Sequence, residues 1–374
     1  MTIAVLKEIS PETRVALTPE TVHKLAQTRI NVIVEQGAGE SAHFRDSDYV
    51  QSGAIMLTRN EIIEKADCIL TLSPMMPEEL IRWKGKTLIG ALDPYKSKSQ
   101  IDALLAGGIT SFSLDLLPRT TLAQSMDILS SMATVSGYRA VLDAATRLPR
   151  FFPMFMSASG TIKPAMMLIL GAGVAGLQAI ATARRLGAVV EVFDVRSAVK
   201  EEVQSLGGKF VEVEGAREDS AAGGYAIDQT EEFLQKQREL IHQRAIRSDV
   251  VICAAMIPGK KAPTLLYKST VEAMKGGSVI IDLAASSGGN CELTKNREEI
   301  VHHGITIIGK SDYPVTMPID ASYMLSNNFM SFIRLILDEN GNQQFDWNDE
   351  IIKGSCLTHE GALVNEKMKQ FYKQ

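Results

Sequence analysis

The sequence lacks most of the features that would mark a metal, disulfide or nucleic-acid protein. Four cysteines occur in 374 residues, Cys68, Cys253, Cys291 and Cys356. They are scattered and none is paired at C-x-x-C spacing, which removes both a zinc knuckle and a disulfide frame. Acidic residues outnumber basic ones, 44 against 39, for a net charge of −5. That balance offers no electrostatic footprint for nucleic acid or an anionic membrane. The six histidines (His23, His43, His242, His302, His303 and His359) form no cluster in the sequence. His302 and His303 are adjacent and so cannot share a helix face as ligands; all six read as structural or solvated, and no metal is expected. There is no internal repeat and no low-complexity segment. The opening MTIAVLKEIS reads as a strand and not as a signal peptide, which points to a reducing, cytoplasmic compartment. Long apolar runs are also missing, with one exception. Ala165 to Ala183 is 19 residues without a charge, enough for a membrane span. Three glycines break it, which suits a buried strand, turn and helix, so the chain reads as soluble.

What is present is ample core material: 45% hydrophobic and 22% charged residues, over a length that predicts two or three domains. The organising stretch is Ala165–Arg196. Met166–Leu170 is a short apolar run of the kind a strand buried on both faces shows. Gly171-Ala172-Gly173-Val174-Ala175-Gly176 fits G-x-G-x-x-G, and Leu177, Ile180, Ala181 and Leu186 then recur at helical spacing. A second apolar run, Val189–Phe193, ends at Asp194, 18 residues after Gly176. Each piece has a physical role in the dinucleotide-binding Rossmann fingerprint. Gly171 permits the tight turn, Gly173 lets the backbone approach a pyrophosphate, and Gly176 lets helix and strand pack closely. The unpaired N–H groups and positive end of the helix dipole hold phosphate charge. Asp194 stands where a carboxylate accepts hydrogen bonds from the adenosine ribose. It would repel a 2′-phosphate, which favours NAD over NADP, with Arg196 placed to soften that repulsion.

The first 115 residues alternate apolar runs (Ile3–Leu6, Val32–Glu35, Cys68–Leu72, Thr87–Leu92, Ile109–Ser113) with helical segments (Pro19–Gln27, Arg59–Lys65, Pro77–Arg82, Lys98–Ala106). Alternation of this sort predicts a second parallel, doubly wound sheet, here without a glycine-rich phosphate turn. Arg119–Tyr138 starts as a polar loop after Pro118 and runs into a helix that continues to about Arg147. Gln124, Ser125, Asp127, Ser130 and Ser131 crowd its start. Helix capping, with Ser125 as cap and Asp127 favoured by the dipole, accounts for one or two of them, not for all five plus Arg119. Leu148–Gly160 is an apolar, proline-broken linker. Phe151, Phe152 and Phe155 are expected to pack in a crossing between domains, with part free to face a partner. The second domain continues through Lys209–Val213, a helix over about Glu231–Arg247, Asp249–Ala255, Val279–Leu283 and Thr306–Ile308. Glu214–Thr230, with Gly223-Gly224-Tyr225, is too long for a simple connector and reads as a lid or excursion. Met256-Ile257-Pro258-Gly259 follows a strand end and would lie beside the adenosine half of a cofactor. A last helix, Ile319–Leu337, leads the tail Phe345–Gln374 back to the first domain.

The fingerprint, RTTLAQSMDILSS, GGYA, AAMIPGKKAP, IIDLAASSGGNCELT and CLTHEGALVNEK together resemble the NAD(H)-binding domain of proton-translocating nicotinamide nucleotide transhydrogenase. A wider similarity runs to alanine dehydrogenase, and Arg14 in ETRVALTP looks like that family's carboxylate-binding arginine. An alanine dehydrogenase must also bind a keto acid and move a proton, which calls for Lys and His beside an acid. Where the lysine belongs this chain reads LTLSPMMPEE (Leu70–Glu79); where the histidine belongs it reads GALDPYK (Gly90–Lys96); and Ser286 stands in the aspartate's place. Transhydrogenation needs none of these groups, because a hydride passes directly between two nicotinamide rings held at near-attack distance.

The resemblance implies two doubly wound α/β domains, one Rossmann and one flavodoxin-like, joined by long helices with a cleft between. It assigns residues 1–130 with 315–374 to the flavodoxin-like domain and 131–314 to the NAD(H)-binding domain. Arg119 would steady the pyrophosphate side or the carboxamide, Asp127 the nicotinamide ribose and Ser130 the carboxamide. Gln124 would lie toward the second nucleotide. Gly171, Gly173 and Val174–Gly176 match the pyrophosphate contacts, and Asp194, Val195 and Arg196 the adenosine contacts. Gly224, Tyr225, Gln237 and Met256 match the loop and adenosine rim. The chain departs from the family at Leu122, where arginine is usual, at Met132, where glutamine is usual, and at Ser286–Ser287, where Glu-Gln is usual. Ending at Gln374 without membrane helices, it resembles a detached subunit, with NADP(H) and the proton channel on partner subunits, a homodimeric state, and a peripheral place on the inner face of the membrane.

Overall fold

The computed structural model describes residues 1–213, 215, 230–257 and 259–373. Gly224, Tyr225 and Pro258 lie outside the described residues. The chain divides into two compact units, residues 1–132 with 315–374 and residues 133–314.

The first unit is built on an eight-stranded sheet. Its spatial order is Ala362–Leu363, Cys356–His359, Thr110–Ser113, Thr87–Gly90, Cys68–Thr71, Thr2–Val5, Asn31–Glu35 and Ile55–Leu57. The six strands before residue 114 pair in parallel; Cys356–His359 joins them antiparallel against Thr110–Ser113. Alternate side chains enter opposite cores, as a period of two requires. Ile3, Val5, Val32, Val34, Cys68 and Leu70 belong to one buried cluster, while Ala4, Ile33, Ile69 and Leu88 belong to the other. The helix Pro318–Leu335 buries Leu325, Phe329, Phe332 and Ile333 in the first of these. The doubly wound sheet is the one the alternating pattern predicts, and its strand order, 3-2-1-4-5-6 in chain numbering, is the 2-1-3-4-5 order of a flavodoxin with one further edge strand. That further strand is Ile55–Leu57, a three-residue strand whose surroundings carry little periodicity. It adds outside Asn31–Glu35, and winding then reverses to place Cys68–Thr71 beside Thr2–Val5.

The second unit carries a seven-stranded sheet in the order Lys209–Val211, Val189–Phe193, Met166–Leu170, Val250–Cys253, Val279–Asp282, Ile305–Gly309 and Glu299–His302. The first six are parallel, and Glu299–His302 closes the edge as an antiparallel hairpin strand. Met167, Ile169, Val190, Val192, Val250 and Ile252 face one cluster; Leu168, Leu170, Phe193 and Val251 face the other. This two-sided burial is why the strands read as continuous apolar runs. Both units therefore share the 3-2-1-4-5 core and its reversal of winding beside the first strand.

The linker corrects one expectation. Phe152 is buried, but Phe151 and Phe155 are 52% and 47% exposed and stack on each other with centroids 5.3 Å apart. Instead of a packed crossing, Phe155–Ser157 and Gly160–Ile162 form a small exposed hairpin. Ala158 and Ser159 make the turn, and Gly160 follows it at φ +120°, a conformation glycine adopts without strain. Among the described residues, no helix is long and apolar enough to cross a membrane.

Candidate dinucleotide site

The fingerprint turn stands at the carboxyl end of Met166–Leu170, the first strand of the second unit and the point where winding reverses, which is where open α/β sheets bind ligands. Gly171 has φ +103° and donates its N–H to the Phe193 carbonyl at 2.8 Å. A Cβ at Gly171 would also lie 3.0 Å from the Ala255 nitrogen, so the neighbouring loop needs glycine there as much as the turn does. A Cβ at Gly176 would run into the Gly171 carbonyl oxygen. Among the described residues there is open space around Gly173, with nothing within 4 Å of where a Cβ would stand. Gly173 is the N-cap of the helix Val174–Arg185 and supplies no side-chain hydrogen bond to its first N–H groups. Open space before an uncapped helix start fits a pyrophosphate. Val174 is exposed, Ala175 half-buried and Gly176 buried.

Asp194 is held more tightly than a free ribose ligand would be. Its Oδ2 accepts the Ala172 N–H at 2.7 Å and Arg196 Nη2 at 2.8 Å. Its Oδ1 accepts the Arg196 backbone N–H and Nε, both at 2.9 Å. The carboxylate thus ties the second strand to the fingerprint turn and carries its own countercharge. Val195 between them is half-buried. Gln237 lies on the inner face of the helix Glu231–Ala245 with Phe233, Ile241 and Ala245. Among the described residues its buried Oε1 has no hydrogen-bond partner, which is costly unless something supplies a donor. Met256, after the strand Val250–Cys253, is 47% exposed.

A buried polar network absent from the sequence reading braces this edge. Asp282 ends its strand fully buried and accepts the N–H groups of Ala284, Asn290 and Cys291 and the Thr294 hydroxyl, at 2.7–3.0 Å. Burial pushes its carboxyl upward against these bonds, which favour the ionised form. Asn290, also fully buried, accepts the Ala255 N–H at 3.0 Å and donates to the carbonyls of Ala255 and Pro263 at 2.9 and 2.8 Å. Ala255 is the residue against Gly171, so the chain Asp282–Asn290–Ala255 fixes the loop beside the turn. An acid ending an apolar strand ahead of Gly288-Gly289-Asn290 was the available signal. Gly137 was also missed. A Cβ there would collide with the Ala175 carbonyl, so the helix Ile128–Arg147 approaches the fingerprint helix as closely as backbone allows.

The polar loop belongs to the first unit. Arg119 and Gln124 are exposed, while Ala123 and Met126 anchor the 3₁₀ turn Leu122–Met126 in the core. Asp127, not Ser125, caps the following helix. Its Oδ1 accepts the Ser130 N–H at 2.9 Å and its Oδ2 the Ser130 hydroxyl at 2.6 Å. Extended backbone at Asp127, φ −76° and ψ 93°, puts the carboxylate over the first turn. Ser125 instead offers its carbonyl to Asn328 Nδ2 at 2.8 Å. Leu122 is 78% exposed. Ser286 donates its N–H to the Ser311 hydroxyl at 3.0 Å, and the Ser287 carbonyl accepts the Ala262 N–H at 2.8 Å.

Arg14 is engaged within its own loop. Nε and Nη2 bind the two oxygens of Glu12 at 2.7 and 2.5 Å, with both side chains largely buried. This grip and the Arg14 and Thr13 N–H groups hold the Glu12 carboxyl below its usual range in spite of burial.

The sheet order and glycine turn define a doubly wound α/β protein with a dinucleotide-binding fingerprint in its second unit. Family models described as "Alanine dehydrogenase/PNT, N-terminal domain" and "Alanine dehydrogenase/PNT, C-terminal domain" match residues 4–136 and 140–366. The chain belongs to the alanine dehydrogenase/PNT family. It is 44% identical over 377 aligned residues to the first part of NAD(P) transhydrogenase subunit alpha of Rhodospirillum rubrum, covering 98% of each chain. It is 30% identical to alanine dehydrogenase of Mycolicibacterium smegmatis, over 95% of this chain and 92% of that one. Its structure matches the crystal structure of transhydrogenase from Sinorhizobium meliloti with a TM-score of 0.88 and 38% identity, over 97% of this chain and 100% of that one.

Proposed function

We propose that this chain is the NAD(H)-binding subunit of a proton-translocating NAD(P) transhydrogenase. In this reading hydride passes from NADH on this chain to NADP⁺ on a partner subunit, coupled to proton movement in membrane partners. The chain is then peripheral to the membrane and works as a homodimer. What supports this over an alanine dehydrogenase-like enzyme is Arg14. Its guanidinium is committed to Glu12, and the segments Leu70–Glu79 and Gly90–Lys96 lack the lysine and histidine a keto-acid enzyme requires.

The residues fit NAD(H). The uncapped helix start behind Gly173 would hold the pyrophosphate, and the orphaned Gln237 Oε1 would accept from the adenosine side. Asp194, Val195 and Arg196 would take the adenosine ribose, with Met256, Gly224 and Tyr225 at its rim. Asp127 and Ser130 would orient the nicotinamide ribose and carboxamide, Arg119 the charged part of the ligand, and Gln124 the boundary with the second nucleotide. The nicotinamide supplies the hydride chemistry, and the chain's own groups bind, align and exclude water.

The test is a hydride-transfer assay with NADH and an NADP analogue, with and without the NADP(H)-binding partner. The chain alone should bind NADH and transfer nothing; the pair should turn over. Alanine-dependent NAD reduction by the chain alone would establish the alternative.

A further inference from the structure

The edge hairpin of the second unit brings together two histidines whose adjacency in sequence argued against a shared role. His302 ends the strand Glu299–His302 and pairs with Ile305, leaving His303 and Gly304 as a two-residue turn. His303 has φ +50° and Gly304 φ +75°, left-handed at both central positions as a type I′ turn requires. On a helix neighbouring side chains diverge by about 100°; here the turn swings the His303 ring back, and the two ring centroids are 4.6 Å apart. Gly277 pins the turn by donating its N–H to the Gly304 carbonyl at 2.8 Å.

Glu272, at the end of the helix Lys268–Glu272, completes the group. His302 Nε2 is 3.0 Å and His303 Nε2 3.7 Å from Glu272 Oε1. One ligand atom from each of the three lies within 4.8 Å of the others, the one such trio of His, Cys, Asp or Glu among the described residues. Zinc bonds of about 2.0–2.1 Å to nitrogen and oxygen put tetrahedral ligands about 3.3–3.4 Å apart, and the two measured separations bracket that value. All three side chains reach solvent, at 33%, 27% and 60% exposure, so an ion can reach them. The charged neighbour is Lys268, whose Nζ is 3.8 Å from Glu272 Oε1 and would move aside.

We propose that Glu272, His302 and His303 bind a divalent cation of the zinc class, with water in the fourth position. Two imidazoles and one carboxylate select zinc or cobalt over magnesium or calcium, which prefer all-oxygen sites. The ion would staple a helix to the sheet's edge strand. It sits at the amino-terminal end of Ile305–Gly309, whereas the fingerprint turn follows the carboxyl end of the parallel strand Met166–Leu170. Cation binding and nucleotide binding are therefore separate, and the proposal is independent of the functional reading above.

The experiment titrates the full chain at pH 7.5 with Co²⁺ alone, followed by visible absorption, and then displaces it with Zn²⁺. One equivalent of Co²⁺ should bind with the intense bands of four-coordinate geometry. Affinity should fall at least tenfold in each of Glu272→Gln, His302→Gln and His303→Gln, while NADH affinity stays unchanged. NADH binding also reports that each variant is folded, and His303→Gln, on the exposed turn, is the substitution least able to disturb folding. Equal stoichiometry and affinity in wild type and the His302→Gln/His303→Gln double variant would assign the metal to other groups and overturn the proposal. So would the absence of Co²⁺ bands in wild type.

Discussion

Arg196 closes a two-point clasp on Asp194, Nε to Oδ1 at 2.9 Å and Nη2 to Oδ2 at 2.8 Å. The acid that should discriminate against a 2′-phosphate is thus neutralised by its own neighbour. Arg196→Ala should leave Asp194 uncompensated and deepen discrimination: NADPH affinity falls further than NADH affinity does. Asp194→Ala should weaken NADH about ten- to a hundredfold, the equivalent of roughly 1.5–3 kcal/mol for a hydrogen bond to a charged group. Fluorescence titration of both nucleotides against both variants checks this. Equal wild-type affinity for NADH and NADPH would remove the NAD preference.

Asn290 gives a second handle on the same site without touching ligand. Asn290→Ala strands the Ala255 N–H and frees two carbonyls, at a cost of about 1–3 kcal/mol for unmet buried groups. Because Ala255 is packed on Gly171, NADH should also bind more weakly. Urea denaturation and NADH titration separate the effects. A stability loss with unchanged NADH affinity would make the network purely architectural.

Glu8 makes stability depend on pH in the first unit. Burial, with the nearby Glu12 charge adding to it, raises its carboxyl to about 7, although the Leu72 N–H at 2.6 Å and the Thr71 hydroxyl pull the other way. The folded state then holds this proton more tightly than the unfolded chain. Its contribution is complete below the ordinary glutamate value of 4.5 and is lost as pH rises toward 7. The loss amounts to at most roughly 3 kcal/mol. Asp115, likewise raised by burial, adds to the slope, and Glu12, held low, opposes it. Glu8→Gln should flatten the decline measured by urea denaturation between pH 4.5 and 7.5. An unchanged slope would mean that Glu8 titrates normally.

Strands buried on both faces, such as Met166–Leu170 and Val250–Cys253, were legible because nothing polar interrupts them. The fingerprint was legible because its glycines answer to local sterics. Ile55–Leu57 was not, since three residues carry too little period to mark a strand, and missing it hid the 3-2-1-4-5-6 order. The brace from Asp282 to Ala255 was hidden for a different reason. Its partners are 8 to 35 residues apart in sequence, and only the fold brings them together. The Asp194–Arg196 clasp shows the reverse case, two residues close in sequence whose pairing depends on side-chain orientation.

The loop Arg119–Ser130 poses the sharpest test, because a cap and an active-site loop make different demands on neighbouring residues. Asp127 serves the helix through Ser130, so Asp127→Ala should cost about 1 kcal/mol as a lost N-cap and lower the melting temperature by a few degrees. Gln124 is exposed and no cap needs it. Gln124→Asn should leave melting and NADH binding nearly intact. If it orients the reacting groups, hydride transfer in the complex reconstituted with the NADP(H)-binding partner should fall by an order of magnitude or more, since a shift of about 1 Å can cost on the order of 100-fold. Arg119→Ala should weaken both binding and turnover, because it meets a charged part of the ligand. The measurement pairs single-turnover hydride transfer with thermal melting for all three variants. If Gln124→Asn and Arg119→Ala transfer hydride at the wild-type rate, then Asp127 is a cap and nothing more, and the loop's role is to start a helix.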